Sequence, residues 1–256
     1  MSDLEVRTED GVLWLTLNRP EQFNALTAEM VIEMIQHLRG ATAREDVRVV
    51  VVTGTGDAFS AGADLGGDNA HENYDSRSVD AANQVIRALT ELDKPVVCGL
   101  NGIAAGVGMS VGLAADLVVA TESAALTLAF TKVGLMPDGG ATAIVAASVG
   151  RARAMRLALL SDLISAREAL DVGLVSHIFA DAEYAEGLDK IVRRLSSGAP
   201  LAFAATKKAV NAATLGGLGE AFQRERAGQS LLLRTEDVAE GMRAFAEKRR
   251  PEFKGR

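Results

Sequence analysis

The chain has 256 residues, of which 48% are hydrophobic and 24% are charged, values typical of a globular protein with a sizeable core. Its formal net charge of −7 argues against a nucleic-acid-binding face. The single cysteine, Cys98, excludes a disulfide within the chain and a zinc site built from several cysteines, and three scattered histidines do not favour a metal cluster.

The N-terminal residues lack the features of a secretory signal peptide, because they are acidic and no apolar run follows a basic segment. Residues 95–115 are uncharged over a length that could span a membrane. Their glycine content and Asn101 favour a buried strand, turn and helix instead. We therefore expect a cytoplasmic protein without a membrane segment.

Predicted strands and helices alternate in the first half of the chain. Strands are predicted at 11–18, 47–54, 94–100, 116–120 and 125–129, and helices at 28–40, with Thr27 as N-cap, and at 79–92. DAFSAGADLGG, at 57–67, is predicted to be a glycine-rich loop, and the polar residues 66–78 a mobile segment.

The pattern changes after Pro137. Helical periodicity runs almost throughout from residue 140, with breaks at Gly150, 161–165, Gly173, 198–200 and 216–217. The sequence therefore predicts an α/β core followed by a helical C-terminal region.

The stretch NGIAAGVGMSVGLAAD, at 101–116, does not match a nucleotide-binding loop. The glycine spacing at 106, 108 and 112 is one residue too long for the dinucleotide pattern, and residues 124–127 contain no acid to bind a ribose. No Lys-Ser or Lys-Thr pair follows, as a phosphate-binding loop requires.

Two glycine-containing loops each follow a predicted buried strand: SAGAD at 60–64 and AGVGM at 105–109. Small residues allow a ligand to approach the backbone, and two N–H groups from separate loops can stabilise one developing oxyanion, such as a thioester enolate. The alternative is that both loops are tight turns that pack strands against helices.

Five segments together resemble the crotonase family of enoyl-CoA hydratases and isomerases: LTLNRPEQFNAL, VVVTGTGDAFSAGADL, KPVVCGLNGIAAGVGMSVGLAAD, LISAREALDVGLVSHIF and EGMRAFAEKRRPEFKGR. The resemblance implies an α/β fold, a crotonase-like spiral of β-β-α units with a helical C-terminal trimerisation region. It implies a core with the acyl-CoA site at 1–198, an oligomerisation region at 199–256, and a homotrimer or a dimer of trimers.

The resemblance also implies an acyl-CoA thioester as substrate and no separate cofactor or metal, since coenzyme A is part of the substrate. The backbone N–H groups of Ala63 and Val107 are the implied oxyanion donors. The residues implied to contact coenzyme A are Gln22, Phe23, Ala25, Ala61, Asp64, Leu65, Phe245 and Lys248. The alternative for the last two is an aromatic helix contact and a solvated lysine.

The sequence departs from the family's hydratases at both catalytic glutamates. The matching positions are Ser110 and Phe130, which we expect in the substrate pocket. Because serine is too weak an acid to replace glutamate as a base, and phenylalanine has no proton to transfer, hydration by the usual mechanism is not expected.

Asp138 lies directly after Pro137, where some isomerases of the family carry their single acid. One carboxylate suffices to shift a proton between two carbons of an enoyl thioester. Phe130, Leu135 and Met136 could raise its pKa by desolvation. The alternative is that Asp138 is the N-cap of the helix beginning near residue 140.

Three functions follow. The first is an enoyl-CoA isomerase with Asp138 as acid and base. The second is an enoyl-CoA hydratase with atypical acids, for which the candidates are Asp64, Asp68, Glu72 and Asp75. The third is a non-catalytic acyl-CoA-binding protein. The sequence does not define the acyl group.

Overall fold

The computed structural model describes residues 2–65 and 74–256. The chain begins with an antiparallel hairpin of β1 (Leu4–Glu9) and β2 (Val12–Leu17), followed by helix α1 (Ala28–Ala41). The Thr27 side chain accepts a hydrogen bond from the N–H of Met30, so the predicted N-cap is confirmed.

Three successive units then repeat the order strand, strand, helix. They are β3 (Val49–Gly54), β4 (Ala58–Ser60) and α2 (Ser76–Glu91); β5 (Val96–Leu100), β6 (Ile103–Ala105) and α3 (Val107–Leu113); and β7 (Leu117–Thr121), β8 (Ala125–Thr127) and α4 (Ala141–Leu160).

The first strand of each unit joins a six-stranded sheet in the order β1-β2-β3-β5-β7-β10, and the second joins a four-stranded sheet in the order β4-β6-β8-β9. The predicted α/β spiral of β-β-α units is therefore confirmed. Strands β3, β5 and β7 are rich in β-branched residues because the central strands are buried on both faces.

The rest of the chain is mainly helical. It contains β9 (Ile164–Ser165), α5 (Ala166–Asp171), β10 (His177–Phe179), α6 (Tyr184–Ser196), α7 (Pro200–Thr214), α8 (Leu218–Leu232) and α9 (Glu236–Ala246). Leu218 and Phe222 of α8 belong to the same buried cluster as the sheet residues. The division at residue 198 stays a prediction.

Short strands account for most of the differences from the sequence analysis. β1 was not predicted, β4 and β6 lie in stretches predicted as glycine loops, and β9 and β10 interrupt the region predicted as helical. Each has six residues or fewer, too short to show a clear period. Helix α2 begins at Ser76, before the predicted residue 79.

The predicted mobile segment at 66–78 lies mostly outside the described residues, which omit 66–73. Gly150, a predicted break, has φ 76° and ψ 163° and interrupts α4. Across the described ranges, none of the helices combines the length and the apolar character needed to cross a membrane.

Gly102, between β5 and β6, allows the chain there to lie close to the backbone just before β4. A β-carbon at this position would lie 2.0 Å from the carbonyl oxygen of Asp57, a backbone atom that precedes β4. Gly102 therefore permits the contact between the strands that lead into the two candidate donor loops.

We expect Gly102→Ala to destabilise the protein by about 3 kcal/mol, because the added methyl group displaces a backbone carbonyl in a packed core. Gly40→Ala is the matched control, since nothing lies within 4 Å of a β-carbon there and Ala is a better helix former than Gly by about 1 kcal/mol. Urea unfolding of both variants measures the difference. If Gly102→Ala were as stable as the wild type, the contact between the strands would tolerate a side chain at this position.

Candidate active site

A cavity of about 420 Å³ brings together most of the residues that the sequence predicts for the site. It is bounded by the two donor loops, the 3₁₀ turn at Ala129–Val133, and helices α2, α8 and α9. The predicted site residues that line it are Gln22, Phe23, Ala25, Ala61, Ala63, Asp64, Leu65, Val107, Phe130, Asp138 and Phe245.

The N–H of Ala63 is available at this cavity because of how its neighbours are hydrogen-bonded. Leu26 donates to the carbonyl of Gly62 at 2.8 Å and accepts from the N–H of Asp64 at 3.1 Å. These two bonds hold Ala63 in an isolated parallel bridge with Leu26 and leave its own N–H outside that bridge.

The N–H of Val107 is the first of helix α3, and the first N–H groups of a helix have no acceptor within it. The two donor loops are in direct contact. Gly62 has φ +100°, and a β-carbon there would lie 2.9 Å from the carbonyl oxygen of Ala105. Glycine at 62 therefore allows both the backbone conformation and the close approach of the two loops.

Asp138 is buried, with 7% of its surface exposed, and lies on the wall of the same cavity. Burial raises its pKa to about 7, partly opposed by a hydrogen bond from Gln229 and assisted by the charge of Glu225. Within the described part of the chain, its Oδ1 atom has no hydrogen-bond partner. This carboxyl group can therefore exchange a proton with a ligand near neutral pH.

The other carboxyl oxygen is occupied. Gln229 Nε2 donates to Asp138 Oδ2 at 2.9 Å, and the backbone N–H of Met136 donates to Gln229 Oε1 at 3.1 Å. Gln229 lies on α8 and is itself buried. The side chain thus links the loop before α4 to a helix that is distant in sequence.

Asp138 does not cap helix α4, so that alternative is wrong. The N-cap is Gly140, which makes no side-chain cap. Instead, Glu225 accepts from the N–H groups of Gly140 at 2.7 Å and Thr142 at 2.9 Å. A carboxylate from another helix therefore satisfies the helix N-terminus, which leaves Asp138 free to face the cavity.

Ser110 and Lys248 are the predicted site residues that do not line the cavity. Ser110 is buried, and its hydroxyl donates to the backbone carbonyl of Asp138 at 2.9 Å. Lys248 is exposed beyond the end of α9. Phe245 lies at the cavity of its own chain and is 65% exposed.

Two further acids reach the cavity with their carboxylates already engaged. Asp64 forms an ion pair with Arg19 at 2.8 Å. The side chain of Asp75 accepts from the N–H of Arg77 at 2.7 Å as the N-cap of α2, and this hydrogen bond lowers its pKa. Asp68 and Glu72, the remaining candidates for a water-activating acid, lie outside the described residues.

Nearly the whole chain matches one family of known proteins. A family model described as enoyl-CoA hydratase/isomerase matches residues 7–256. The chain belongs to the enoyl-CoA hydratase/isomerase family. It is thus related to enzymes that act on acyl-CoA thioesters, and the family predicted from the sequence motifs is confirmed.

Relatives of this enoyl-CoA hydratase/isomerase family member carry different reaction names. The chain is 36% identical to the 1,2-epoxyphenylacetyl-CoA isomerase of Escherichia coli strain K12, with 97% of each chain covered. It is 40% identical to a probable enoyl-CoA hydratase of Rhodobacter capsulatus, with 96% of each covered. A solved enoyl-CoA hydratase from Mycobacterium avium subsp. paratuberculosis has a TM-score of 0.94 at 44% identity, with 99% of both chains covered.

The sequence analysis missed four polar side chains that line the cavity: Tyr74, Ser78, Lys132 and Gln229. The Tyr74 hydroxyl donates to the carbonyl of Asp64 at 2.7 Å, and burial raises its pKa to about 12. A signal for Gln229 was present. The buried positions of α8 include 218, 222, 225 and 229, so Glu225 and Gln229 occupy the apolar face of that helix.

Asp138→Asn should stabilise the protein increasingly as the pH rises from about 4 to about 7. The carboxyl of Asp138 binds its proton more tightly in the folded protein, where its pKa is about 7, than in the unfolded chain, where the ordinary value is 3.8. The wild type therefore loses stability over this range, whereas a neutral asparagine does not titrate.

The expected gain for Asp138→Asn above pH 7 is on the order of 4 kcal/mol and is constant at higher pH. Thermal unfolding of wild type and variant at a series of pH values measures it. Ser110→Ala is a control that leaves the titrating group in place. A difference between wild type and Asp138→Asn that does not change with pH would contradict a raised pKa.

Proposed function

We propose that this protein is an enoyl-CoA isomerase that moves a carbon–carbon double bond by means of a single acid/base, Asp138. The observation that carries the proposal is the position of Asp138. Its carboxyl is buried in the cavity that Ala63 and Val107 line, and its unpartnered oxygen belongs to a group with a pKa of about 7. A general base is most effective when its pKa is near the working pH.

The proposed reaction moves one proton from C2 to C4 and the double bond from C3–C4 to C2–C3, with no change in oxidation state. Asp138 takes a proton from C2 of a 3-enoyl thioester, and the electrons of that C–H bond pass into a dienolate. The N–H groups of Ala63 and Val107 donate to the thioester oxygen on which the charge develops. The same carboxyl then gives the proton back at C4, and the double bond is left between C2 and C3.

We place coenzyme A along the outer part of the cavity. The lining residues that we assign to it are Gln22, Phe23, Ala25, Ala61, Asp64, Leu65, Lys132 and Phe245. Lys132 is exposed and can contact a phosphate group through a charge-assisted hydrogen bond. Lys248 is a further phosphate contact in the proposal, as the family resemblance implies.

Hydration is the second candidate, because relatives named hydratases align with nearly the whole chain. Among the described residues that line the cavity, the carboxylates besides Asp138 are Asp64 and Asp75, and each is engaged by an arginine or a helix N-terminus. Water addition needs one group to activate water and another to protonate C2, so this arrangement favours the isomerase.

The test is to incubate the protein in D₂O with a 3-enoyl-CoA and, separately, with crotonyl-CoA. We expect the first to yield the 2-enoyl isomer and the second to yield no 3-hydroxyacyl product. C4 of the isomer should carry the hydrogen taken from C2, or deuterium where the Asp138 carboxyl exchanges its proton with the solvent before returning it. Mass spectrometry and NMR identify the positions of deuterium. A 3-hydroxyacyl product would favour the hydratase, and binding without turnover of either substrate would favour a non-catalytic acyl-CoA-binding protein.

Asp138→Asn is the variant that ties this reaction to one residue. We expect kcat to fall by about 10³-fold, because general acid–base catalysis contributes about 10²- to 10⁴-fold, whereas acyl-CoA affinity is kept. In the wild type, kcat/KM should fall as the pH drops below about 7. Full activity of the variant would exclude Asp138 as the acid/base.

We also propose that the protein assembles as a homotrimer or a dimer of trimers. Helix α7 has no buried residue within the chain, and Leu201 on it is 85% exposed. A second apolar surface, the α4-end patch, consists of Met155, Leu159, Leu160 and Leu163, each at least 40% exposed. Apolar surface of this kind marks contacts with other chains.

Light scattering on the eluting protein should give three or six times the chain mass of 26.8 kDa. Leu160→Glu should lower that mass, because a charge in a buried interface disfavours association. Lys190→Glu, which alters an exposed residue outside the patch, should leave the mass unchanged. A mass of one chain at all protein concentrations would refute the assembly.

A further inference from the structure

The amide of Gln229 has only one orientation that satisfies both of its partners. Its Oε1 lies 3.1 Å from the backbone nitrogen of Met136, which can only donate, so the oxygen must face that atom. The Nε2 atom then faces Asp138 Oδ2 at 2.9 Å, as a donor. A protonated carboxyl oxygen is a weaker hydrogen-bond acceptor than an unprotonated one. The bond from Gln229 therefore favours Oδ2 as the unprotonated oxygen of Asp138.

The second oxygen of Asp138 has the opposite environment. Oδ1 is buried and has no hydrogen-bond partner among the described residues, and the carboxyl lines the cavity. Ser110 is close but donates to the main-chain carbonyl of Asp138 rather than to the carboxyl. The two oxygens are therefore unequal before any substrate binds.

We propose that Gln229 is a positioning residue that makes Asp138 act through one oxygen, Oδ1, which removes the proton from C2 and returns it at C4. The inference rests on the proposed isomerase function. It adds that the choice of oxygen is made by a side chain on α8, which touches the acid/base. Glu225, one helical turn earlier, fixes the backbone on the other side of Asp138 through the N–H groups of Gly140 and Thr142.

The groups that affect the titration of Asp138 come from several elements. Glu225 of α8 raises its pKa by charge repulsion, and the Gln229 hydrogen bond lowers it. The other titratable groups that line the cavity are Tyr74, Asp64, Asp75 and Lys132, the last of which belongs to the 3₁₀ turn. Gln229→Met leaves all five of these titratable groups in place and adds none, so a change in the pKa of Asp138 in that variant reports on the lost hydrogen bond.

Two variants distinguish the hydrogen bond that Gln229 donates to Asp138 from the one that it accepts from Met136. Gln229→Met keeps the length of the side chain and removes both hydrogen bonds. Gln229→Glu keeps an oxygen that can accept from Met136 and replaces the donor to Asp138 by a second carboxyl. Gln223→Met is the matched control, since Gln223 is exposed on the same helix.

The primary measurement is a ¹³C NMR titration of the aspartate carboxyl carbons, in which Asp138→Asn identifies the resonance of Asp138. We expect the titration midpoint to rise by about one pH unit in Gln229→Met and by about two in Gln229→Glu, where two neighbouring carboxyls share a proton. The acid limb of kcat/KM with 3-enoyl-CoA should move by the same amounts. The midpoint of Gln223→Met should equal that of the wild type.

Kinetics at a pH above both midpoints test the positioning itself. We expect Gln229→Met to lower kcat by about 10- to 100-fold with little change in KM, because the base is ionised but less well oriented. Thermal unfolding checks that each variant is folded. If Gln229→Met does not fold, Gln229→Glu, which keeps the Met136 contact, decides the result.

An unchanged titration midpoint and an unchanged kcat in a folded variant would overturn the inference. A raised midpoint with an unchanged kcat would also overturn it, because Oδ2 would then be as competent as Oδ1. If the wild type does not turn over 3-enoyl-CoA, the proposed function fails. The NMR midpoint still shows in that case whether Gln229 holds Oδ2, and an unmoved midpoint would overturn that contact as well.

Discussion

The arrangement of the site depends on a carboxyl group that the fold keeps out of water. Burial disfavours the charged form of Asp138, so the group is poised between its two protonation states instead of being ionised at all physiological pH values. Such a group lowers the stability of the folded state whenever it is ionised. Two side chains of α8 hold the backbone on either side of this carboxyl: Gln229 accepts a hydrogen bond from the N–H of Met136, and Glu225 accepts one from the N–H of Gly140.

The loop that carries Asp138 leads directly into helix α4, whose N-terminus also needs hydrogen-bond acceptors. A helix N-terminus attracts carboxylates, and Asp138 is close enough in sequence to have served as the cap of α4. Glu225 occupies the N–H groups instead, with its side chain fully buried. Glu225 thus accepts the hydrogen bonds of the α4 N-terminus, while the Asp138 carboxyl remains available to a ligand. Helix α8 sets both roles, because it carries Glu225 and also Gln229, which contacts Asp138.

The sequence was sufficient to predict the repeated units and much of the cavity. Strands β3, β5 and β7 are continuous apolar runs, and the glycine-containing stretches after β3 and β5 mark the two candidate donor loops. Short elements were not predictable in the same way, because β10 has three residues and becomes a strand only by pairing with β7. Its place at the edge of the large sheet is a tertiary property.

The partners of Asp138 were harder to predict for a different reason. Gln229 is 91 positions away in the chain, and the segment RERAGQS that contains it reads as a polar helix surface. Only its register with Leu218 and Phe222 places it on the buried face, and periodicity does not state which loop that face meets. Polar residues within an otherwise apolar helical stripe are therefore a signal for a site, although not for its partner.

These contacts bear on which reaction a shared fold supports. An enolate held by two N–H groups can be reached by proton removal alone or by addition of water, and the difference lies in how many acids face the ligand. The family resemblance implies that Ser110 and Phe130 stand where the family's hydratases carry glutamate, and the Ser110 hydroxyl donates a hydrogen bond to the backbone carbonyl of Asp138. A cavity with one buried acid whose pKa is about 7 is suited to the proposed transfer of a proton between two carbons of one substrate. In the proposed function the backbone N–H groups of Ala63 and Val107 serve as oxyanion donors for either reaction, so the side chains around them select the chemistry.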